Sequence, residues 1–321
     1  MEPDAHRGPG RARSGVGGVG AGSPVVGEQW PRAARLDAAR LVAAVSAHSD
    51  LRLRLLRPLV GGEVGAALVA LPSGASAVLT SWPGALAARA TTVAAIVTRL
   101  RAGGYPAPEY LAVIDCQSTL AALQEFVEGR PPGEVDELLV RSLLALNDRQ
   151  RGVLPDAGGP PAKLYLLEDG PGYCLHEPLR RHDRATAALL DRVHEVGHTV
   201  PDAALTGTDA VHGDFHPGNV LISARTPGAV TAVVDWTGAH AGNCRLDLVT
   251  LGFSLDHDAA APRVREIVRE RIAADVGVEA LLAFTAHMAL RQVDWAIRHH
   301  SPAASRRWIE VADDWLTWAA R

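Results

Sequence analysis

One stretch constrains this chain more than any other: Val211-His212-Gly213-Asp214-Phe215-His216-Pro217-Gly218-Asn219-Val220-Leu221, followed by Val233-Val234-Asp235-Trp236. Apolar runs at 219–223 and 229–234 flank Thr226-Pro227-Gly228, a turn signal, so the segment is expected to fold as a hairpin. Both strands then stop beside one point, and three polar side chains, Asp214, Asn219 and Asp235, converge from a short piece of chain. Moving a γ-phosphoryl group onto a hydroxyl needs such a set: a carboxylate that orients the nucleophile and accepts its proton, and oxygen ligands for the magnesium ions that bridge the phosphates. Asp214 is the candidate base, Asn219 and Asp235 the candidate metal ligands. An acid at the end of an apolar strand is costly to bury unless paired or ligated, which argues against an inert loop.

The pattern resembles the protein-kinase catalytic loop H-R-D-x-x-x-x-N followed by D-F-G, with Gly213 in place of the arginine and Trp236 after the second aspartate. Together with Asp247-Leu248 further on, these changes are similar to the aminoglycoside phosphotransferase and choline kinase group of small-molecule kinases. The resemblance runs from about residue 51 to 321 and is strongest over 211–251. It implies an α+β, bilobal, protein-kinase-like fold, with a small antiparallel-sheet lobe and a mainly helical one. It implies ATP and Mg2+ as cofactors and a small-molecule hydroxyl acceptor, an aminoglycoside-like antibiotic or a metabolite. By position it implies Asp214 as base, Asn219 and Asp235 on magnesium, and His216 facing the γ-phosphate where protein kinases carry a lysine. Asp247 is implied as a brace for the loop, and His212 is read as a hydrogen-bonding residue behind it. The hinge is placed near 124–128, with backbone groups of Glu125 and Val127 on the adenine edge.

One departure bears on activity. Protein kinases carry a strand lysine that grips the α- and β-phosphates and pairs with a helix glutamate. Here Thr80 follows Ala77-Val78-Leu79 at that place, no acid occurs between Glu63 and Glu109, and Lys163, in the second lobe, is the chain's one lysine. An arginine such as Arg52, Arg54 or Arg89 would have to compensate. The loss keeps open a nucleotide-binding pseudokinase with a regulatory or scaffold role. His212, Asp214 and His216 also suit zinc, but a zinc hydrolase would leave Asn219 and Asp235 without a purpose.

The rest of the chain is read around this centre. Residues 1–27 are rich in glycine and proline with almost nothing to bury, and are expected to form a disordered tail. Residues 28–127 are assigned to the first lobe and 128–321 to the second. Strands are expected near 66–71, 76–82 and 120–127, and helices near 85–102, 135–147, 184–196 and 263–274. Gly61, Gly62 and Gly65 form an ordinary hairpin turn or, given the catalytic loop downstream, a phosphate-cradling one; Thr80 is grouped with them at the nucleotide. Trp295, Trp308, Trp315 and Trp318 are read mainly as packing residues of terminal helices. A net charge of -4 gives no reason to expect nucleic acid or an acidic membrane surface as partner. The widely spaced Cys116, Cys174 and Cys244 fit neither a disulfide framework nor a zinc knuckle, and no apolar run reaches the length of a membrane span, so a cytoplasmic setting is expected. Asp256, Asp258, Asp294, Glu310, Asp313 and Asp314 either gather into an anionic acceptor pocket or form a solvated face, and Arg291, Arg298, His299 and His300 among them leave the sign of such a pocket open.

Overall fold

Alternation decides the first half of the chain. Along the strand β3 (Ser76–Pro83), Ala77 and Leu79 are fully buried on one face and Trp82 on the other, the two-residue period of a strand covered on both sides. The computed structural model describes residues 35–59, 65–83, 87–117, 119–156 and 163–321. In it β1 (Arg54–Leu59), β2 (Ala66–Ala70), β3, β4 (Tyr110–Asp115) and β5 (Thr119–Glu125) form an antiparallel sheet of order β1-β2-β3-β5-β4. The expected tail over 1–27, and Gly61 and Gly62, lie outside the described residues.

Helix α1 (Ala38–His48) covers one face of the sheet, where Leu41 and Val45 join Val69, Leu79 and Leu123 in a core of their own. Asp37 caps this helix, its carboxylate accepting from the Arg40 N–H at 3.0 Å. The opposite face meets α2 (Ala87–Ala102), whose Val93, Ile96, Val97 and Leu100 continue into the main core of the molecule. Neither α1 nor β4 was among the sequence expectations. Their signals are nonetheless present: Ala38, Leu41 and Val45 recur at helical spacing behind a capping Asp, and Tyr110-Leu111-Ala112-Val113-Ile114 is a strand-forming run.

The remainder is mainly helical, as α3 (Glu137–Asp148), α4 (His176–His182), α5 (Arg184–Thr199), α6 (Arg245–His257), α7 (Pro262–Asp275), α8 (Val278–His299) and α9 (Pro302–Ala319). Two small antiparallel pairs sit between α5 and α6: β6 (Asp209–Val211) with β9 (His240–Gly242), and β7 (Val220–Ile222) with β8 (Val230–Val233). Beyond β5 the chain reaches Arg130, which exchanges backbone hydrogen bonds with Ile222 at 3.2 and 2.8 Å. The connection out of the sheet therefore lands directly on the β7–β8 hairpin. Among the described residues no helix is long and apolar enough to cross a membrane.

The terminal helices are locked by aromatic packing. Trp315 lies fully buried against Phe253 at 4.7 Å between ring centres and donates to Asp256 at 2.7 Å, while Trp308 stacks on His257 and Trp295 on His299, each at 3.8 Å. Gly252 of α6 makes room for this, since a Cβ there would stand 2.5 Å from the Trp315 ring. Overpacking of this kind costs about 1–3 kcal/mol, more than the ~1 kcal/mol that alanine gains over glycine in a helix. Gly252→Ala should lower the melting midpoint by several degrees in calorimetry, and an unchanged or raised midpoint would contradict this packing.

Candidate active site

Strand β6 delivers the chain to His212 in the interior, and there the backbone is seized by a carboxylate. Asp247, fully buried in the first turn of α6, accepts from the N–H of His212 at 2.7 Å, from that of Gly213 at 2.9 Å and from the Gln150 amide at 2.8 Å. Burial pushes its carboxyl pKa up, while these donors pull against it. Gly213 turns the chain with φ +79, and a Cβ there would meet the Gly238 carbonyl oxygen at 2.7 Å. The arginine of the protein-kinase pattern therefore has neither the backbone conformation nor the space it would need at this position.

The turn sets Asp214 in a half-buried position with both carboxylate oxygens engaged. Oδ1 accepts from Arg291 of α8 at 2.8 Å, and Oδ2 accepts from the Asn219 amide at 3.2 Å and faces His216 Nε2 at 3.6 Å. A second Arg291 nitrogen donates to the Gly213 carbonyl. Burial alone would raise the Asp214 pKa, but Arg291 and then His216 outweigh it and hold the carboxyl well below the usual carboxylate range. His216 caps the turn Pro217–Asn219, its Nδ1 accepting from the Gly218 N–H at 3.1 Å. Burial lowers the basicity of this ring, and the neighbouring Asp214 more than offsets it.

Asn219 donates through Nδ2 to the Asp214 carbonyl at 2.9 Å and to its carboxylate. With two oxygens facing the amide nitrogen, the amide oxygen is left for another partner. Asp235 takes the left-handed conformation, φ 61 and ψ 61, which presents its carboxylate at the surface of the site, where one oxygen accepts from Thr237 at 2.6 Å. Oxygen donors of these two kinds suit a hard divalent cation such as magnesium, with substrate phosphates completing the shell. His212 is unfit as a zinc ligand, because one ring nitrogen bonds the Val234 carbonyl at 2.9 Å and the other the Asp214 N–H at 3.1 Å. Its ring also lies 4.5 Å from that of Trp236, whose indole N–H donates to the Val233 carbonyl at 2.8 Å.

The other expected residues spread along the sheet. Thr80 bonds the Ala122 carbonyl at 3.5 Å, and Gly65 enters β2 with φ +84. Glu125 ends β5, its N–H bonded to the Glu109 carbonyl at 2.9 Å and its carboxylate to Arg101 at 3.0 Å, and half-buried Val127 follows in the connection. Of the arginines considered as substitutes for the strand lysine, Arg52 caps the carbonyl end of α1 and Arg54 is exposed. Arg89, half-buried in α2, reaches the Gly238 carbonyl at 3.4 Å.

Helix α8 supplies what the sequence reading did not assign. His287, Arg291, Asp294 and Arg298 recur at helical spacing within an otherwise apolar surface, a polar stripe that was the available signal. His287 bonds the Leu164 carbonyl at 2.8 Å, and Arg291 lies over the Tyr173 ring at 5.9 Å, so this stripe also holds the segment before α4 against the site. The acids considered for an anionic pocket do not converge. Asp256 is paired with Arg265 and Arg269, Asp294 with Arg298, Asp258 with His257, Glu310 with Arg307 and Asp313 with Arg192, while Asp314 is exposed on α9.

With the site in view, comparison with known proteins is direct. The chain belongs to the phosphotransferase enzyme family, whose model matches residues 56–284. Its fold is that of solved small-molecule kinases. A thermostable mutant of aminoglycoside phosphotransferase APH(4)-Ia, in ternary complex with AMP-PNP and hygromycin B, superposes with a TM-score of 0.63 at 16% identity, covering 87% of this chain and 98% of that one. The amicoumacin kinase hAmiN, in complex with AMP-PNP, Ca2+ and Ami, gives 0.57 at 15% identity, over 87% and 94%. Aminoglycoside-3'-phosphotransferase of type VIII gives 0.52 at 18%, over 87% and 98%. Comparison with curated proteins returns no match.

Two consequences of this geometry are measurable. Asp247→Ala would leave two backbone N–H groups and the Gln150 amide unsatisfied in the interior, a loss of about 3 kcal/mol or more. Urea unfolding of the ligand-free protein should show it, and a variant as stable as the parent would remove Asp247 as the anchor of the loop. The second consequence is a pH dependence. Burial, seconded by the Arg291 charge, pushes the His287 pKa down to about 4, against an ordinary value of about 6.5 in the unfolded chain. Between those values the unfolded state binds more protons, so this stability is present above about pH 6.5 and is lost as the pH falls towards 4. His287→Asn, which keeps a donor for the Leu164 carbonyl, should lose less of its melting midpoint than the parent between about pH 7 and about pH 5.

Proposed function

We propose that the chain transfers the γ-phosphoryl group of ATP to a hydroxyl of a small molecule. The observation that carries this reading is the joint placement of Asp214 and Asn219, hydrogen-bonded to each other on a loop clamped by Asp247. Family membership supports it, as do the AMP-PNP complexes of the similar folds. In this reading the sheet up to residue 127 carries the nucleotide, with Gly61, Gly62, Gly65, Thr80 and the backbone near Glu125 and Val127 around it. Residues 128–321 carry the catalytic loop and the acceptor.

Asp214 accepts the acceptor hydroxyl as a hydrogen-bond donor and takes its proton as the new P–O bond forms and the bond to the ADP oxygen breaks. With Arg291 on Oδ1, the carboxylate stays ionised over a wide pH range but is a weak base. A loose transition state, in which bond making lags, tolerates that: the carboxylate's main task is orientation. Asn219 and Asp235 would hold magnesium, which when bound neutralises charge on the phosphates. His216 stands beside Asp214 and would face the transferred group.

The pseudokinase alternative has the missing strand lysine and helix glutamate in its favour and the intact Asp214, Asn219 and Asp235 set against it. Asp214→Asn should reduce phosphoryl transfer by roughly 10²- to 10⁴-fold and leave nucleotide affinity little changed. Asp235→Ala should abolish the tightening that magnesium gives to ATP binding in calorimetry. A parent protein that binds ATP equally with and without magnesium would overturn the metal assignment. An Asp214→Asn protein with most of its turnover would exclude Asp214 as base.

A further inference from the structure

Apart from Asp235, assigned to metal above, and the buried Asp247, the described charges that neighbour Asp214 are cations, the opposite sign from those that a polycationic acceptor would need. Arg291 of α8 sits directly on the carboxylate, and Arg89 of α2 reaches the Gly238 carbonyl, which packs against Gly213. Arg89 has no carboxylate partner among the described residues, an unbalanced guanidinium at a half-buried position. His240 lies between them in sequence terms, in β9. Its Nδ1 bonds the Gly238 carbonyl at 2.9 Å, which makes that nitrogen the donor, and its buried Nε2 has no partner. Tyr173, under the Arg291 guanidinium, completes this side. Burial raises its hydroxyl pKa to about 12, with Arg291 and Arg89 both pulling it down, so both cations act on one side chain of the segment before α4.

The acids that would answer a polycation are engaged elsewhere: Asp256 and Asp294 are buried against their own arginines. A polycationic acceptor at Asp214 would have to displace Arg291 and lie beside Arg89, with only Asp214 and the metal-assigned Asp235 to answer its charge. An acceptor carrying a carboxylate or phosphate a few bonds from its hydroxyl meets the opposite situation. Its anion gives Arg89 the counter-charge that no described carboxylate supplies, and its hydroxyl end can donate to Asp214.

We infer that Arg89, with Arg291 and Tyr173, forms an acceptor subsite for an anionic hydroxyl compound, a sugar acid or sugar phosphate in chemical class, rather than for a polycationic aminoglycoside. This rests on the phosphotransfer reading above for its place in catalysis but not for its binding preference. Arg89 acts here on the acceptor and not on the nucleotide phosphates.

The test uses the full chain in calorimetry and thermal shift, with and without Mg-AMP-PNP. The probes are gluconate, glucose 6-phosphate, the neutral glucitol and kanamycin. At least one anionic probe should bind more tightly than glucitol by about tenfold, the worth of a charge-assisted hydrogen bond, and the two anions separate a carboxylate preference from a phosphate one. Arg89→Met should erase that margin, Arg89→Lys should keep part of it, and the affinity for Mg-AMP-PNP should stay the same in both. Tighter binding of kanamycin than of either anion, no margin over glucitol, or an Arg89→Met protein that loses Mg-AMP-PNP affinity and keeps the margin would each overturn the inference. Anion preference in a protein that binds no Mg-AMP-PNP would uphold the subsite and overturn the phosphotransfer reading instead.

Discussion

Everything at the site hangs on a buried carboxylate that accepts from two consecutive backbone N–H groups. Asp247 lies in the first turn of α6, where the helix dipole favours negative charge. By holding His212 and Gly213 together it fixes the loop to α6, and through Gln150 to the end of α3. The same end of α3 is tied again by Asn147, which donates to the Cys244 carbonyl at 2.8 Å and accepts from Arg245 at 2.6 Å. The loop is thus held by the helices through His212 and Gly213, apart from the contacts that Asp214 and Asn219 make with each other and with Arg291. Gly213 is what lets the loop approach so closely, because its left-handed turn passes within Cβ range of the Gly238 backbone.

The second constraint is electrostatic. A cation held in a partly buried position beside a carboxylate offsets part of the desolvation of both, and Arg291 gains further from its bond to the Gly213 carbonyl. The pair fixes the direction of Asp214 and lowers its basicity together. Orientation and base strength are therefore not independent here: a carboxylate freed of Arg291 would be the better base but the less well aimed one. On the proposed assignment, in a transfer reaction whose barrier depends more on alignment and charge than on early proton removal, aim is the more useful property.

The fold of the 211–236 stretch was legible because it is local. Asp214, Asn219 and Asp235 lie on one loop and hairpin, so turn residues and apolar runs suffice to bring them together, and the Asp247-Leu248 pair could be matched by resemblance. Helices α2, α3, α5 and α7 were legible for the same reason, as period and end signals are contained within each. What escaped was long-range pairing. Nothing at position 291 points to position 214, and the polar stripe of α8 reads equally well as a solvated face until the helix is seen to be buried. The acids of the terminal helices misled in the opposite sense: their sign was readable, but three of them are answered by cations of their own, two within the same helix, Arg298 for Asp294 and Arg307 for Glu310, and one far away in the chain, Arg192 for Asp313. α1 was passed over because its core contacts are made by an alanine, a leucine and a valine in a segment adjoining a glycine-rich tail.

The missing strand lysine gains meaning from where positive charge is found instead. Thr80 spends its hydroxyl on the Ala122 carbonyl within the sheet, so the strand offers a bound nucleotide no charge. The cations that are present, Arg89 and Arg291, come from helices and meet around the 213–240 segment, on the side of Asp214 that α8 and the segment before α4 enclose. A glutamate on α2 would have been a buried acid without its lysine, and α2 carries an arginine in its first turn instead. Loss of the pair and gain of Arg89 are then one redistribution of charge. On the proposed assignment, the grip on the nucleotide passes to backbone amides and to metal held by Asn219 and Asp235, and the positive charge that a protein kinase places on the phosphates is placed here where the acceptor enters.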